Sequence, residues 1–170
     1  MPDEAETDEQ TEALRAARAA LERIYVALGG DLEVLDAGRS TALPGDFIHE
    51  PTGTLIEVDE SQHFTSFRLA TLDLYPEDAA LGFDLATYKQ LCRTWQKQSD
   101  GYYRTKAARG SRHRRQAEAA QRAYYDALRD LTTPAMGRPP LIRIEAADRD
   151  AADAYRRHRD ELLRALDVTP

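Results

Sequence analysis

A chain of 170 residues with a net charge of −7 is long enough for one domain with a real core. Its apolar and charged shares, 42% and 31%, are those of an ordinary globular protein rather than a disordered or fibrous one. No apolar run approaches the roughly 20 residues of a membrane span, the acidic start MPDEAETDEQTE is unlike a signal peptide, and the single cysteine, Cys92, excludes an internal disulfide or a multi-cysteine metal site; the expected compartment is the cytoplasm.

Residues 1–12 carry six acidic groups and no basic one, which predicts a disordered acidic tail ahead of a single domain over 13–170. A helix is expected over 10–28, from Leu14, Ala17, Leu21, Ile24, Tyr25 and Leu28 at helical spacing, stopped by Gly29-Gly30. Asp31–Leu35 reads as a short strand, followed by a polar connection to Thr41. Asp46–His49 and Thr54–Asp59 read as strands of a hairpin about a Pro-Thr-Gly turn. Residues 64–82 are too apolar for a free loop but fit no single element. Asp84–Gln98 reads as a helix with Leu85, Tyr88, Leu91, Cys92 and Trp95 inward, broken by Ser99-Asp100-Gly101. Tyr102–His113 is a basic, Gly-punctuated connection. Arg114–Leu131 is a helix with Ala120, Tyr124, Leu128 and Leu131 inward, and Pro134–Pro140 is a linker. Leu141–Ile144 is a strand and Asp148–Leu166 a last helix using Tyr155, Leu162, Leu163 and Leu166. This order fits an α/β domain built on one mixed β-sheet flanked by helices.

The hairpin is the stretch most charged with chemistry. With Pro51-Thr52 at the centre of the turn, His49 meets Thr54, Phe47 meets Ile56 and Asp46 meets Glu57. Strand side chains alternate, so Glu57 and Asp59 share a face and Asp46 lies across from Glu57 on it. Directly opposed Cβ atoms stand about 5 Å apart, and like charges so placed repel unless a cation lies between them. Phe47, Ile56 and Val58 supply the other, apolar face. Hard divalent cations take oxygen ligands, and Mg²⁺ is served by one or two carboxylates with water and phosphate; the Val58 carbonyl is a further candidate ligand. The alternative, a hairpin whose acidic face is merely solvated, stays open on spacing alone.

Pro44-Gly45-Asp46 and Glu57-Val58-Asp59 resemble the core of the PD-(D/E)XK nuclease superfamily. That pattern is an Asp at the start of one strand, an acidic residue on the next, and usually a Lys two residues later. Here a glycine separates Pro and Asp, and Asp59 occupies the lysine position. The run IEVDESQH is similar to the very-short-patch-repair-type branch, in which an acidic strand end is followed by a His, matched by His63. The resemblance covers about residues 43–68. It implies a restriction-endonuclease-like fold and a Mg²⁺- or Mn²⁺-dependent endonuclease acting on nucleic acid, DNA in the first instance, in repair or defence. Asp46 and Glu57 would hold the metal, Asp59 would be a further catalytic acid, and His63 would orient or deprotonate water. Arg68, Arg104 or Lys106 would replace the lysine's charge. Fold-level analogy adds a homodimer.

Other features are weaker. Arg104, Lys106, Arg109, Arg112, Arg114 and Arg115 form a basic stretch suited to backbone phosphates, with Tyr102 and Tyr103 before it as stacking platforms. Gln62 is a phosphate or solvent contact. Gln121 and Tyr125 stand one helical turn apart, a pair that lies beside the metal site in one branch of the superfamily. His49 and Cys92 read as structural. Two readings follow: a metal-dependent endonuclease, or a catalytically inactive module of the same fold that binds nucleic acid or a protein partner.

Overall fold

The computed structural model describes residues 4–33, 45–105 and 112–167, with side chains over 8–33, 45–103 and 117–167. It is a mixed α/β structure. Helix α1 runs Glu4–Ala27, so the helix begins well inside the acidic segment expected as a tail. It ends where Gly29 adopts φ 84° and the Gly29 and Gly30 N–H groups bond the carbonyls of Val26 and Tyr25 at 2.9 and 2.8 Å, a glycine-dependent stop. Beyond it the expected strand is replaced by a helical turn at Leu32 and Glu33, because Asp31 accepts the Glu33 N–H at 3.0 Å and so caps a turn. Positions 34–44 lie outside the described residues.

The hairpin forms in the expected register. Strand β1, Phe47–His49, pairs antiparallel with β2, Thr54–Glu60, matching Phe47 with Ile56 and His49 with Thr54. The turn closes on the His49 carbonyl, which accepts from Gly53 N–H at 2.9 Å with Gly53 at φ 71°. His49 is structural, its Nδ1 lying 2.8 Å from Thr52 Oγ1. Strand β3, Ile142–Ala146, then adds parallel to β2, with Glu57 beside Arg143 and Asp59 beside Glu145. The sheet order is β1-β2-β3.

Among the described residues, a 3-10 turn at Ser61–His63 and three α-helices lie between β2 and β3. The unassigned apolar stretch contains α2, Ser66–Leu72, capped by Thr65, whose hydroxyl accepts the Arg68 N–H at 3.0 Å. Helix α3 runs Leu85–Thr105, straight through the expected break at Ser99-Asp100-Gly101. Those residues are tied down rather than turning: Ser99 Oγ donates to the Ser61 carbonyl, and Asp100 accepts the Ser66 N–H at 3.1 Å at the start of α2. Helix α4, Arg112–Ala135, is followed by Gly137 at φ 73°, so Pro134 and Ala135 of the expected proline linker belong to its last turn while the rest is a connection. Helix α5, Ala151–Ala165, is capped by Asp150 and packs along β3. It buries Ala154 and Leu162, while Tyr155, expected inward, is exposed.

The apolar core lies among α1, α2, α3 and α4. Ala17, Ala20, Leu21 and Ile24 of α1 meet Tyr124, Ala127 and Leu131 of α4, with Phe64, Leu72, Tyr88 and Cys92 completing the cluster. Alanines on both sides of the α1–α4 seam let the helices approach closely, and the Tyr25 and Tyr124 rings meet edge-on at 5.0 Å. Among the described residues no helix is long and apolar enough to cross a membrane.

Candidate functional site

The sheet turns its acidic face inward. On β2, Glu57 and Asp59 are buried, whereas Ile56 and Val58 on the opposite face are half-buried and Phe47 of β1 is 62% exposed. The apolar side of the hairpin is therefore the more solvent-facing one. The reason lies in the helices that cover the acidic face: they bring arginines as well as leucines, and charge is buried when it is paired and hydrogen-bonded.

The innermost layer is closed. Arg143 Nη1 donates to both Asp59 oxygens at 2.9 Å, its Nε donates to Asp130 at 2.8 Å, and its Nη2 reaches the Asp126 carbonyl at 3.3 Å. Arg68 Nη2 donates to the other Asp130 oxygen at 2.6 Å, and its Nη1 donates to Tyr75 Oη at 2.8 Å. The Tyr75 hydroxyl donates to Asp130 at 2.6 Å and the Tyr88 hydroxyl to Asp59 at 3.0 Å. Burial alone would loosen the Arg143 proton, but Asp130, Asp59 and Asp126 hold it charged. Burial likewise pushes both phenols well above their ordinary range, so they stay protonated donors.

Outside this layer the accounting changes. Asp126 is held well below the usual carboxylate range, because Arg143 and His63 outweigh its burial. Its Oδ2 meets His63 Nδ1 at 3.2 Å, and Asp59 Oδ1 lies 3.1 Å from the same nitrogen. The far ring nitrogen, Nε2, lies 3.0 Å from Arg122 Nη1. Burial disfavours the charged imidazole, yet Asp59 and Asp126 raise its pKa overall. Arg129 Nη2 lies 3.0 Å from Asp126 Oδ1 and 3.4 Å from Glu57 Oε2. Glu57 Oε1, by contrast, is buried without a hydrogen-bond partner. Burial raises the Glu57 pKa; Arg129 and Arg143 oppose the rise, and Asp46 and Asp59 add to it. A methyl group at Gly45 would lie 3.2 Å from that oxygen, so a side chain there would crowd it.

Asp46 lies near enough to Glu57 to help raise its pKa. It is exposed, and its Oδ2 accepts the Val58 N–H at 2.9 Å, a donor left over where β1 stops pairing. The hairpin thus brings Asp46 and Glu57 together, while Asp59 is drawn away into the Arg143 layer. Val58 supports Asp46 through its N–H. Arg68, a candidate for the missing lysine charge, is fully buried and engaged by Asp130. Gln62 donates to Glu60 at 3.1 Å. Gln121 does share a helix face with Tyr125, donating to its hydroxyl at 3.1 Å, and Tyr125 leans on Tyr124 in the helix-packing cluster. Cys92 is core, its thiol pushed up to about 12 by burial. The side chains of Arg104, Arg112, Arg114 and Arg115, and all of Lys106 and Arg109, lie outside the described residues. Among the described residues no group of three or more His, Cys, Asp or Glu is arranged to hold a metal.

Four participants escaped the sequence reading: Asp126, Arg129 and Asp130 on α4 and Arg143 on β3. Their signal was present. Asp126 and Asp130 are one turn apart inside the apolar stripe that contains Tyr124, Ala127 and Leu131, and Arg143 stands between two isoleucines of a short strand. A charge set in an apolar run predicts a buried partner.

Residues 23–107, half of the chain, match the model of a family of unknown function, DUF7255, and the chain belongs to that family. The matched span carries Asp46, Glu57, Asp59, His63 and Arg68; Asp126, Asp130 and Arg143 fall beyond it. No curated protein and no solved structure matches the chain.

Proposed function

We propose that the chain holds a divalent cation, Mg²⁺ or Mn²⁺, through Asp46 and Glu57, and hydrolyses phosphodiester bonds of nucleic acid, DNA in the first instance, on a restriction-endonuclease-like framework. The observation that carries this reading is Glu57 Oε1, a buried carboxylate oxygen without a hydrogen-bond partner, lying against Gly45 and within electrostatic reach of Asp46. An oxygen so placed is costly to leave unsatisfied. Two carboxylates are a donor set that suits a hard cation completing its shell with water and phosphate. The topology supports the framework: an acidic antiparallel hairpin, then a helical crossover to a strand parallel with β2.

When bound, the metal supplies Lewis-acid polarisation and a more acidic water. The chain's own residues do the rest. Asp126 and Asp59 face His63 Nδ1, which fixes the proton of a neutral ring on that nitrogen and leaves Nε2 as the acceptor. In this arrangement Arg122 Nη1 donates to that nitrogen at 3.0 Å, so His63 orients the guanidinium. Arg129, against Glu57 and Asp126, provides a fixed positive charge beside the metal-holding acid, the contribution a lysine at position 59 would otherwise make. Arg143 neutralises Asp59 and so makes the exchange of lysine for aspartate tolerable.

The same Asp59–Arg143 pairing favours the second reading, a member of the fold that binds nucleic acid without cutting it. Cleavage assays on supercoiled plasmid and on single-stranded DNA and RNA, with Mg²⁺ or Mn²⁺, separate the two. The proposal expects metal-dependent nicking by the wild type and none by Glu57→Gln with the fold intact. Cleavage by Glu57→Gln at the wild-type rate overturns the site. A wild type that binds metal through Glu57 and cuts nothing establishes the second reading.

A further inference from the structure

Every arginine of the buried layers has a carboxylate against it: Arg68 with Asp130, Arg129 with Glu57 and Asp126, Arg143 with Asp59 and Asp130. Arg122 is different. It lies on α4, half-buried, two turns before Arg129, and among the described residues it makes no ion pair. Its hydrogen-bonded neighbour is His63 Nε2, at 3.0 Å, a neutral acceptor at best. A guanidinium carries five donors in a planar fork matched to an oxyanion, and His63 accounts for one of them.

We propose that Arg122 is a phosphate-oxygen ligand, the centre of an anion subsite that works without metal and holds a nucleic-acid phosphate next to the Asp46–Glu57 centre. The contacts connect the two places without a gap: Arg122 to His63, His63 to Asp126, Asp126 to Arg129, and Arg129 to Glu57. His63 holds the Arg122 fork at one nitrogen and leaves its remaining donors to a ligand. With the ring neutral, the site presents one positive charge without a counter-charge. With the ring protonated, Nε2 can no longer accept from Arg122, and both groups are donors without an acceptor between them. In both states an oxyanion is the partner that satisfies it. Carboxylates do not fill that place: Asp59 and Asp126 are on the other side of the imidazole. The inference adds a substrate contact to the proposed function but does not depend on the metal.

The test is oligonucleotide binding in EDTA. Fluorescence anisotropy on a labelled single-stranded or duplex DNA, at several salt concentrations, is measured for wild type, Arg122→Gln and Arg156→Gln, with inorganic phosphate titrated in parallel by NMR. Loss of one phosphate contact should weaken Arg122→Gln about tenfold and lower the salt slope by about one, as for a single backbone contact, while Arg156→Gln, which removes an exposed charge on the solvent face of α5, binds as wild type does. Arg122→Lys, which keeps the charge but not the fork, should recover part of the loss, and thermal melts check that all variants are folded. Phosphate binding that depends on Arg122 without any DNA binding overturns the nucleic-acid part of the inference. Equal binding of both ligands by Arg122→Gln and wild type, or no binding of either by wild type, overturns the inference. Neither result touches the metal reading, which is tested by metal binding and cleavage in the Glu57 and Asp46 variants.

Discussion

Glu57 and Asp59 stand two residues apart on one face of β2, and their surroundings treat them in opposite ways. Asp59 receives both Arg143 contacts, the Tyr88 hydroxyl and an approach from His63. Glu57 has Arg129 at one oxygen and nothing at the other. The inner region, from Asp59 through Arg143 to Asp130 and Arg68, is a satisfied polar core that fixes how the helices seat on the sheet. The outer region, from Asp46 and Glu57 to Arg122, has an acidic oxygen and a guanidinium each short of a counter-charge. The proposed ligand site is this rim, where pairing is less complete than in the inner network.

The largest effect should come from breaking the inner region. Arg143→Met leaves three aspartates facing one another in a buried space and should destabilise the fold by about 3–5 kcal/mol, measured by chemical denaturation. A companion Asp59→Leu should restore part of that loss, since uncharged replacement of a buried pair is tolerated far better than removal of one partner. If Arg143→Met leaves stability unchanged, the inner layer is not the framework described.

His63 sharpens the boundary between the regions. Its folded pKa is raised above the ordinary 6.5, so the folded state holds the proton more tightly than the unfolded chain. Its contribution to stability is fully present below pH 6.5 and is lost as pH rises through the folded value. The stability difference between wild type and His63→Gln should therefore shrink from pH 6 to pH 8.5. A difference that grows over that range contradicts the placement of His63 between two carboxylates.

The smallest effect belongs to the far side of the molecule. Arg156 pairs with Asp153 at 3.0 Å on the solvent face of α5, and Arg156→Ala should change stability by less than about 1 kcal/mol. The contrast with Arg143 measures how much burial, rather than charge, decides the outcome.

Periodicity and turn chemistry made much of this legible in the sequence. The hairpin register followed from one turn, and the long helices followed from their apolar stripes. The pairing of Asp46 with Glu57 came with the register. What the sequence could not display was the third dimension of charge. Arg143 lies 84 positions beyond Asp59, and nothing local says that the two meet. Without those arginines a solvated acidic face of β2 stayed open as an alternative, and the burial of Glu57 and Asp59 closes it. Ser99-Asp100-Gly101 misled for a related reason: the residues that break a helix in isolation are held helical by Ser61 and Ser66 across the fold.

The central claim is that Glu57 Oε1 is open because a cation belongs there. Mn²⁺ binding followed by EPR at neutral pH addresses it without requiring catalysis. The account predicts one bound ion per wild-type chain, with affinity that rises as pH climbs through the raised Glu57 pKa above 4.5, and a loss of at least about tenfold in both Glu57→Gln and Asp46→Asn. Wild-type affinity in either folded variant, or no bound Mn²⁺ in the wild type, would contradict it.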